Sequence, residues 1–146
     1  MMLKRTLSVI ALCLIGAATV ASAQDFGADR EAAMKKIGGS MAALSAIAKG
    51  EKAYDAEAVK ASLSAISETA KVFPSYFPEG SEQASDEASP KIWEDKAGFE
   101  AAANKLAADA DAVLAQLPAD QAAVGAALGT IGKNCSACHQ SYRLKK

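Results

Sequence analysis

The strongest constraint on the fold lies in the last quarter of the chain, where Val124, Leu128, Ile131, Cys135, Cys138 and Tyr142 follow one another at steps of four, three, four, three and four residues. Spacing of that kind returns to one face of an α-helix, whereas in a strand it would scatter the same residues over both faces. It predicts a long fourth helix with both cysteines on its buried stripe. Pro118 interrupts whatever comes before it, and Asp120 stands where an N-cap is wanted.

The same periodicity recurs upstream. Met34, Ile37, Met41, Leu44 and Ala48 step by three or four residues and stop at Lys49-Gly50, which predicts a first helix over 25–49. Asp55 caps a second segment whose stripe is Val59, Leu63, Ile66, Ala70 and Phe73; Pro74 ends it, giving a helix over 56–72. Residues 73–89 hold prolines, a glycine, serines and acids without a stripe and read as a long connection across one end of the molecule. Ser89-Pro90 then opens a third helix carrying Phe99, Leu106, Val113 and Leu117, with Ala103 and Ala110 between them. No segment alternates with period two. The expected fold is all-α, an antiparallel up-down-up-down four-helix bundle. Its many alanines let helices approach closely and leave volume that a large flat ligand can fill.

Residues 1–23 read as a secretory signal peptide: basic Lys4 and Arg5, an apolar run from Leu7 to Val20, and the small-residue ending Ala21-Ser22-Ala23. The run is shorter than the ~20 residues of a membrane-spanning helix, so export to the periplasm without stable membrane insertion is expected. Cys13 lies inside that run after Leu12, a poor context for lipid attachment, and leaves with the leader. The remaining domain, 24–146, is long enough for one core. Without Lys4 and Arg5 the basic count falls from 16 to 14 against 17 acids. That balance offers nucleic acid nothing to bind. The lysines are interleaved with acids and form no docking patch.

Cys135-Ser136-Ala137-Cys138-His139 is C-x-x-C-H, the attachment motif of a c-type haem. Two thiols three residues apart on a helix share a face, where they can form thioethers to two vinyl groups while the adjacent histidine ligates the iron. His139 is the single histidine of the chain. A structural zinc site needs four protein ligands, and the domain offers two cysteines and one histidine. A thioredoxin-like dithiol belongs at the start of a helix in a strand-helix-strand unit, whereas this pair ends a helix in an all-helical chain. One covalently attached haem c is the expected cofactor.

The chain resembles the class II c-type cytochromes, the group of cytochromes c′ and their low-spin, methionine-ligated relatives. The likeness runs over the whole domain. Its pieces are Arg30-Glu31-Ala32-Ala33-Met34, Lys49-Gly50-Glu51, Phe77-Pro78, Ile92-Trp93 and Cys135 to Arg143. The resemblance implies a function without enzymatic turnover: single-electron exchange with redox partner proteins, or, where the iron is five-coordinate, binding of nitric oxide or carbon monoxide. It also implies a homodimer through the first two helices. The family's distal residue, four positions after an arginine, maps onto Met34 following Arg30. A thioether there would stabilise ferrous iron and exclude gases; equally, Met34 fits as a core methionine on a helical stripe. The resemblance places Arg143 near the proximal ring, where as a plain last-turn arginine it would also favour the helix C-terminus. Arg30 is expected near a haem propionate. For Trp93, Phe99, Tyr76 and Tyr142, core and loop packing is the expected role.

Overall fold

The computed structural model describes residues 24–145. The expected signal peptide, residues 1–23, lies outside the described residues. Helix α1 spans Phe26–Ala48, α2 Ala56–Val72, a single turn α3 Lys91–Glu94, α4 Lys96–Ala115 and α5 Gln121–Tyr142. The first two agree with the sequence expectations to within one residue, and α5 begins directly after the expected cap Asp120.

Each long helix starts in the same way. Asp25, Asp55, Asp95 and Asp120 accept hydrogen bonds from the backbone N–H three residues on, at 3.0, 3.0, 3.1 and 2.8 Å. A cap of this type contributes about 1 kcal/mol by satisfying an otherwise orphaned donor. Gly50 ends α1 with φ of 75°, the left-handed conformation that glycine adopts without strain, and its N–H donates to the Ile47 carbonyl.

The sequence predicted one continuous third helix, and here the structure differs. Asp95 leaves helical geometry at φ −129° and ψ 57°, splitting the segment into α3 and α4. The carboxylate explains the break: it caps Gly98 and accepts the Tyr142 hydroxyl, contacts an uninterrupted helix would forfeit.

α1, α2, α4 and α5 form a four-helix bundle in which α1 packs on α2 and α5, and α4 on α2 and α5. The directions are antiparallel. The Tyr54 hydroxyl, just before α2, donates to the Pro118 carbonyl, just after α4, and Gln121 at the start of α5 donates to the Ala48 carbonyl at the end of α1. Two cores result. Leu44, Val59, Leu63, Ile66, Val124 and Ile131, each at most 1% exposed, fill the end nearest the short loops. Burial of side chains this large stabilises the fold by about 1.5–3 kcal/mol each. Phe77, Ile92, Phe99 and Tyr142 make a smaller aromatic core at the other end. Gly38 and Gly39 sit side by side in mid-α1, where each costs about 1 kcal/mol relative to alanine.

The long connection does cross one end of the bundle, and Arg30 on α1 straps it down. Arg30 is 4% exposed; its Nε donates to the Tyr76 carbonyl at 2.9 Å and Nη2 to the Ser81 carbonyl and hydroxyl at 3.0 and 2.7 Å. The guanidinium lies 4.1 Å from the centre of the Phe77 ring. Further on, Ala88 and Arg143 pair as an isolated antiparallel bridge, with Ser89 N–H donating to the Tyr142 carbonyl and Leu144 N–H to Glu87. Among the described residues no helix is long and apolar enough to cross a membrane.

Candidate haem site

Between the two cores lies an open cavity of about 1100 Å³. All four long helices and the connection wall it: Arg30, Met34, Gly38 and Met41 from α1, Phe73 beyond the end of α2, Phe77 and Ala88 from the connection, Phe99, Ala103 and Leu106 from α4, and Cys135, Cys138, His139 and Tyr142 from α5. The small side chains of Ala102 and Ala103, where a bundle could carry leucine, keep the space open.

Cys135 and Cys138 are half-buried free thiols rather than fully buried ones, because the stripe they occupy faces the cavity and not a neighbouring helix. Cys135 packs against the large core and Cys138 against the aromatic one. Burial pushes both thiols above the ordinary cysteine range, and at Cys138 the charge of Cys135 adds to it. Their place in the last turns of α5, at the negative end of the helix dipole, acts in the same direction. A thiol–disulfide catalyst needs a depressed thiolate, so this pair is poorly suited to that chemistry. It is well placed to be alkylated by two vinyl groups of one planar ligand.

His139 stands at the rim, exposed, with its side chain bordering the cavity. The protein around it still lowers its pKa, first by burial and then through the Arg143 guanidinium, with Glu87 opposing. A neutral imidazole is the form that binds a metal. Arg143 has left helical geometry at φ −112° and ψ 132°, donates its backbone N–H to the His139 carbonyl at 3.2 Å, and pairs with Glu87 at 3.1 Å. Arg143 thus stands just past the last turn of α5 rather than within it, and its charge acts on the His139 imidazole.

Met34 is half-buried on the α1 wall of the same cavity, one turn beyond Arg30, and Met41 lines it further along. The structure thus brings all six sequence-identified residues, Cys135, Cys138, His139, Met34, Arg30 and Arg143, to one cavity. Arg30 departs from expectation in that most of its hydrogen-bonding capacity is committed to Tyr76 and Ser81. Its Nη1 remains, buried and without a partner. An orphaned guanidinium nitrogen beside a cavity is matched by a carboxylate, and a haem brings two. With the cavity volume and the two neutral thiols, the residues fit the group.

Trp93 and Tyr76 do not line the cavity; Trp93 donates its indole N–H to the Pro78 carbonyl at 3.0 Å, and Tyr76 packs on Phe73. Phe99 and Tyr142 do line it, besides filling the aromatic core. Sequence reasoning missed Glu87, Ser81 and Asp95. The third carried a readable signal, an aspartate three residues before a glycine inside an otherwise helical stretch. The first two act on residues about fifty positions away.

The family described as Cytochrome C' matches residues 25–143. Cytochrome c-556 of Agrobacterium tumefaciens (strain II Chrys) is 62% identical over 117 residues, covering 80% of this chain and 95% of that protein. Among solved structures, cytochrome c' from Rhodopseudomonas palustris superposes with a TM-score of 0.79 at 39% identity, over 85% of this chain and 99% of that one. The NMR-validated structural model of oxidized cytochrome c556 from the same organism gives 0.75 at 37% identity, over 85% and 99%.

Proposed function

Because the chain belongs to the cytochrome c' family and carries one covalently attached haem c, we propose that it transfers single electrons through an iron held between His139 and Met34. Cys135 and Cys138 supply the thioethers, Arg30 Nη1 receives a propionate, and Arg143 lies beside the proximal imidazole. When bound, the haem supplies a centre that takes up and returns one electron. The protein's own residues set how. Met34 closes the distal side with a thioether, which favours the ferrous state and excludes exogenous ligands. Phe73, Phe99 and Leu106 give the cavity an apolar lining. The work is done in the periplasm, after export, with redox proteins as partners.

The observation that carries this reading is the placement of Met34 on the wall of the cavity that both cysteines enter. Optical spectroscopy tests it. The ferric protein should show the far-red charge-transfer band of a methionine–iron bond, and the ferrous protein should be unchanged by carbon monoxide. Met34→Ala should lose the band and bind carbon monoxide. A wild-type protein without the band that takes up carbon monoxide readily would instead assign the chain to binding nitric oxide or carbon monoxide at a five-coordinate iron.

A further inference from the structure

Gly38 and Gly39 are adjacent in α1, and at neither would an added Cβ meet any atom within 4 Å. Neither has the positive φ that would require glycine. Packing and backbone geometry therefore leave both glycines unexplained, although each weakens the helix. The two differ in one respect: Gly38 lines the cavity and Gly39 does not.

Gly38 lies four residues after Met34 and three before Met41, between the two methionines on the cavity-facing stripe. In an α-helix the Cα–Cβ bond tilts towards the N-terminus, so a side chain covers the turn before its own Cα. Any side chain at position 38 would lean over Met34. The register of the bundle puts this place beside the attachment site. Ala48 is opposite Gly125, where an added Cβ would lie 3.9 Å from the Ala48 Cβ. Ten residues back along α1 from Ala48 is Gly38, and ten forward along antiparallel α5 from Gly125 is Cys135.

We infer that Gly38 is a specificity-determining residue: its missing side chain keeps open, beside Met34 and level with Cys135, the space into which the Met34 thioether must swing before any small exogenous ligand reaches the iron. The inference rests on Met34 as the distal ligand. It makes Gly38 the residue that sets how fast ligand exchange at the distal position can occur, while Met34 sets whether the position is closed at rest.

The test compares Gly38→Leu with Gly39→Leu in the haem-loaded protein, following imidazole binding to the ferric form by loss of the far-red band in a stopped-flow instrument. Gly38→Leu should slow the association at least tenfold, Gly39→Leu should stay within twofold of wild type, and Gly38→Ala should fall between. Should Gly38→Leu fail to assemble, Gly38→Ala against Gly39→Ala decides, since a Cβ fits at both sites. Equal rates in the paired variants overturn the inference. So does faster binding in Gly38→Leu, because the space would then be needed to seat Met34 and not to release it. A wild-type protein that lacks the band removes the methionine ligation but leaves the comparison readable with carbon monoxide on the ferrous form. There Gly38→Leu alone slowing association would retain Gly38 as the gate, and equal rates would reject it.

Discussion

The Tyr142 hydroxyl donates a hydrogen bond to Asp95 Oδ2 at 2.9 Å and so ties the last turn of α5, three residues beyond His139, to the point where α3 breaks into α4. Tyr142→Phe should lower the unfolding free energy by about 1.5–3 kcal/mol, the worth of a hydrogen bond to a charged group. Burial, and then the bond to Asp95, hold the hydroxyl above the ordinary tyrosine range. A raised folded-state pKa contributes stability below the unfolded value of about 10 and loses it as pH rises through the folded one. In urea titrations the gap between wild type and Tyr142→Phe should be constant to about pH 9 and shrink above pH 10.

Gly98 permits that bond. A Cβ on it would lie 2.6 Å from the Tyr142 hydroxyl and 2.7 Å from Asp95 Oδ1. Gly98→Ala should therefore destabilise the protein, although the same change in a helix ordinarily gains up to about 1 kcal/mol. Gly39→Ala should show the ordinary gain. Thermal unfolding followed by circular dichroism at 222 nm distinguishes opposite signs.

Arg30→Met keeps much of the side chain's bulk but removes its hydrogen bonds to Tyr76 and Ser81 and its place over Phe77. The expected loss is about 2–4 kcal/mol, with the freed Ser81 hydroxyl and carbonyl adding to it. Limited proteolysis should then cut first within residues 76–86. An unchanged cleavage pattern would count against Arg30 as the strap of the connection.

Asp109 responds in the acid range. A hydrogen bond from Lys105 of its own helix, and then one from Asn134 on α5, hold its carboxyl below the ordinary aspartate range. A lowered folded-state pKa contributes stability above the unfolded value of about 3.9 and loses it as pH falls through the folded one. Asp109→Asn should be less stable than wild type at pH 7, and the difference should shrink as pH falls below the ordinary aspartate value of about 3.9. Chemical denaturation across that range reads it.

Local chemistry was legible in the sequence and distant pairing was not. Aspartate caps at Asp55 and Asp120, the glycine stop at Gly50 and the C-x-x-C-H stripe of α5 are relations within a few residues, which periodicity exposes. The break at Asp95 escaped because the apolar pattern runs through it; the aspartate three residues before Gly98 was its one local sign, and its other partner, Tyr142, is 47 residues away. Arg30 was expected near a haem propionate, and its hold on the connection was not foreseen. Nothing near it in sequence reports Tyr76 or Ser81, 46 and 51 residues on. The pairing of Glu87 with Arg143 was hidden for the same reason.

The division of the interior into two cores bears on how the protein receives its prosthetic group. The aliphatic core joins all four long helices. The aromatic core is likewise formed by side chains, Phe77, Ile92, Phe99 and Tyr142 each being at most 9% exposed, and all four border the cavity. Cys135 and Cys138 therefore stand in a wall whose neighbouring side chains are already packed, one beside each core, so the cavity is a receptacle shaped before anything enters it.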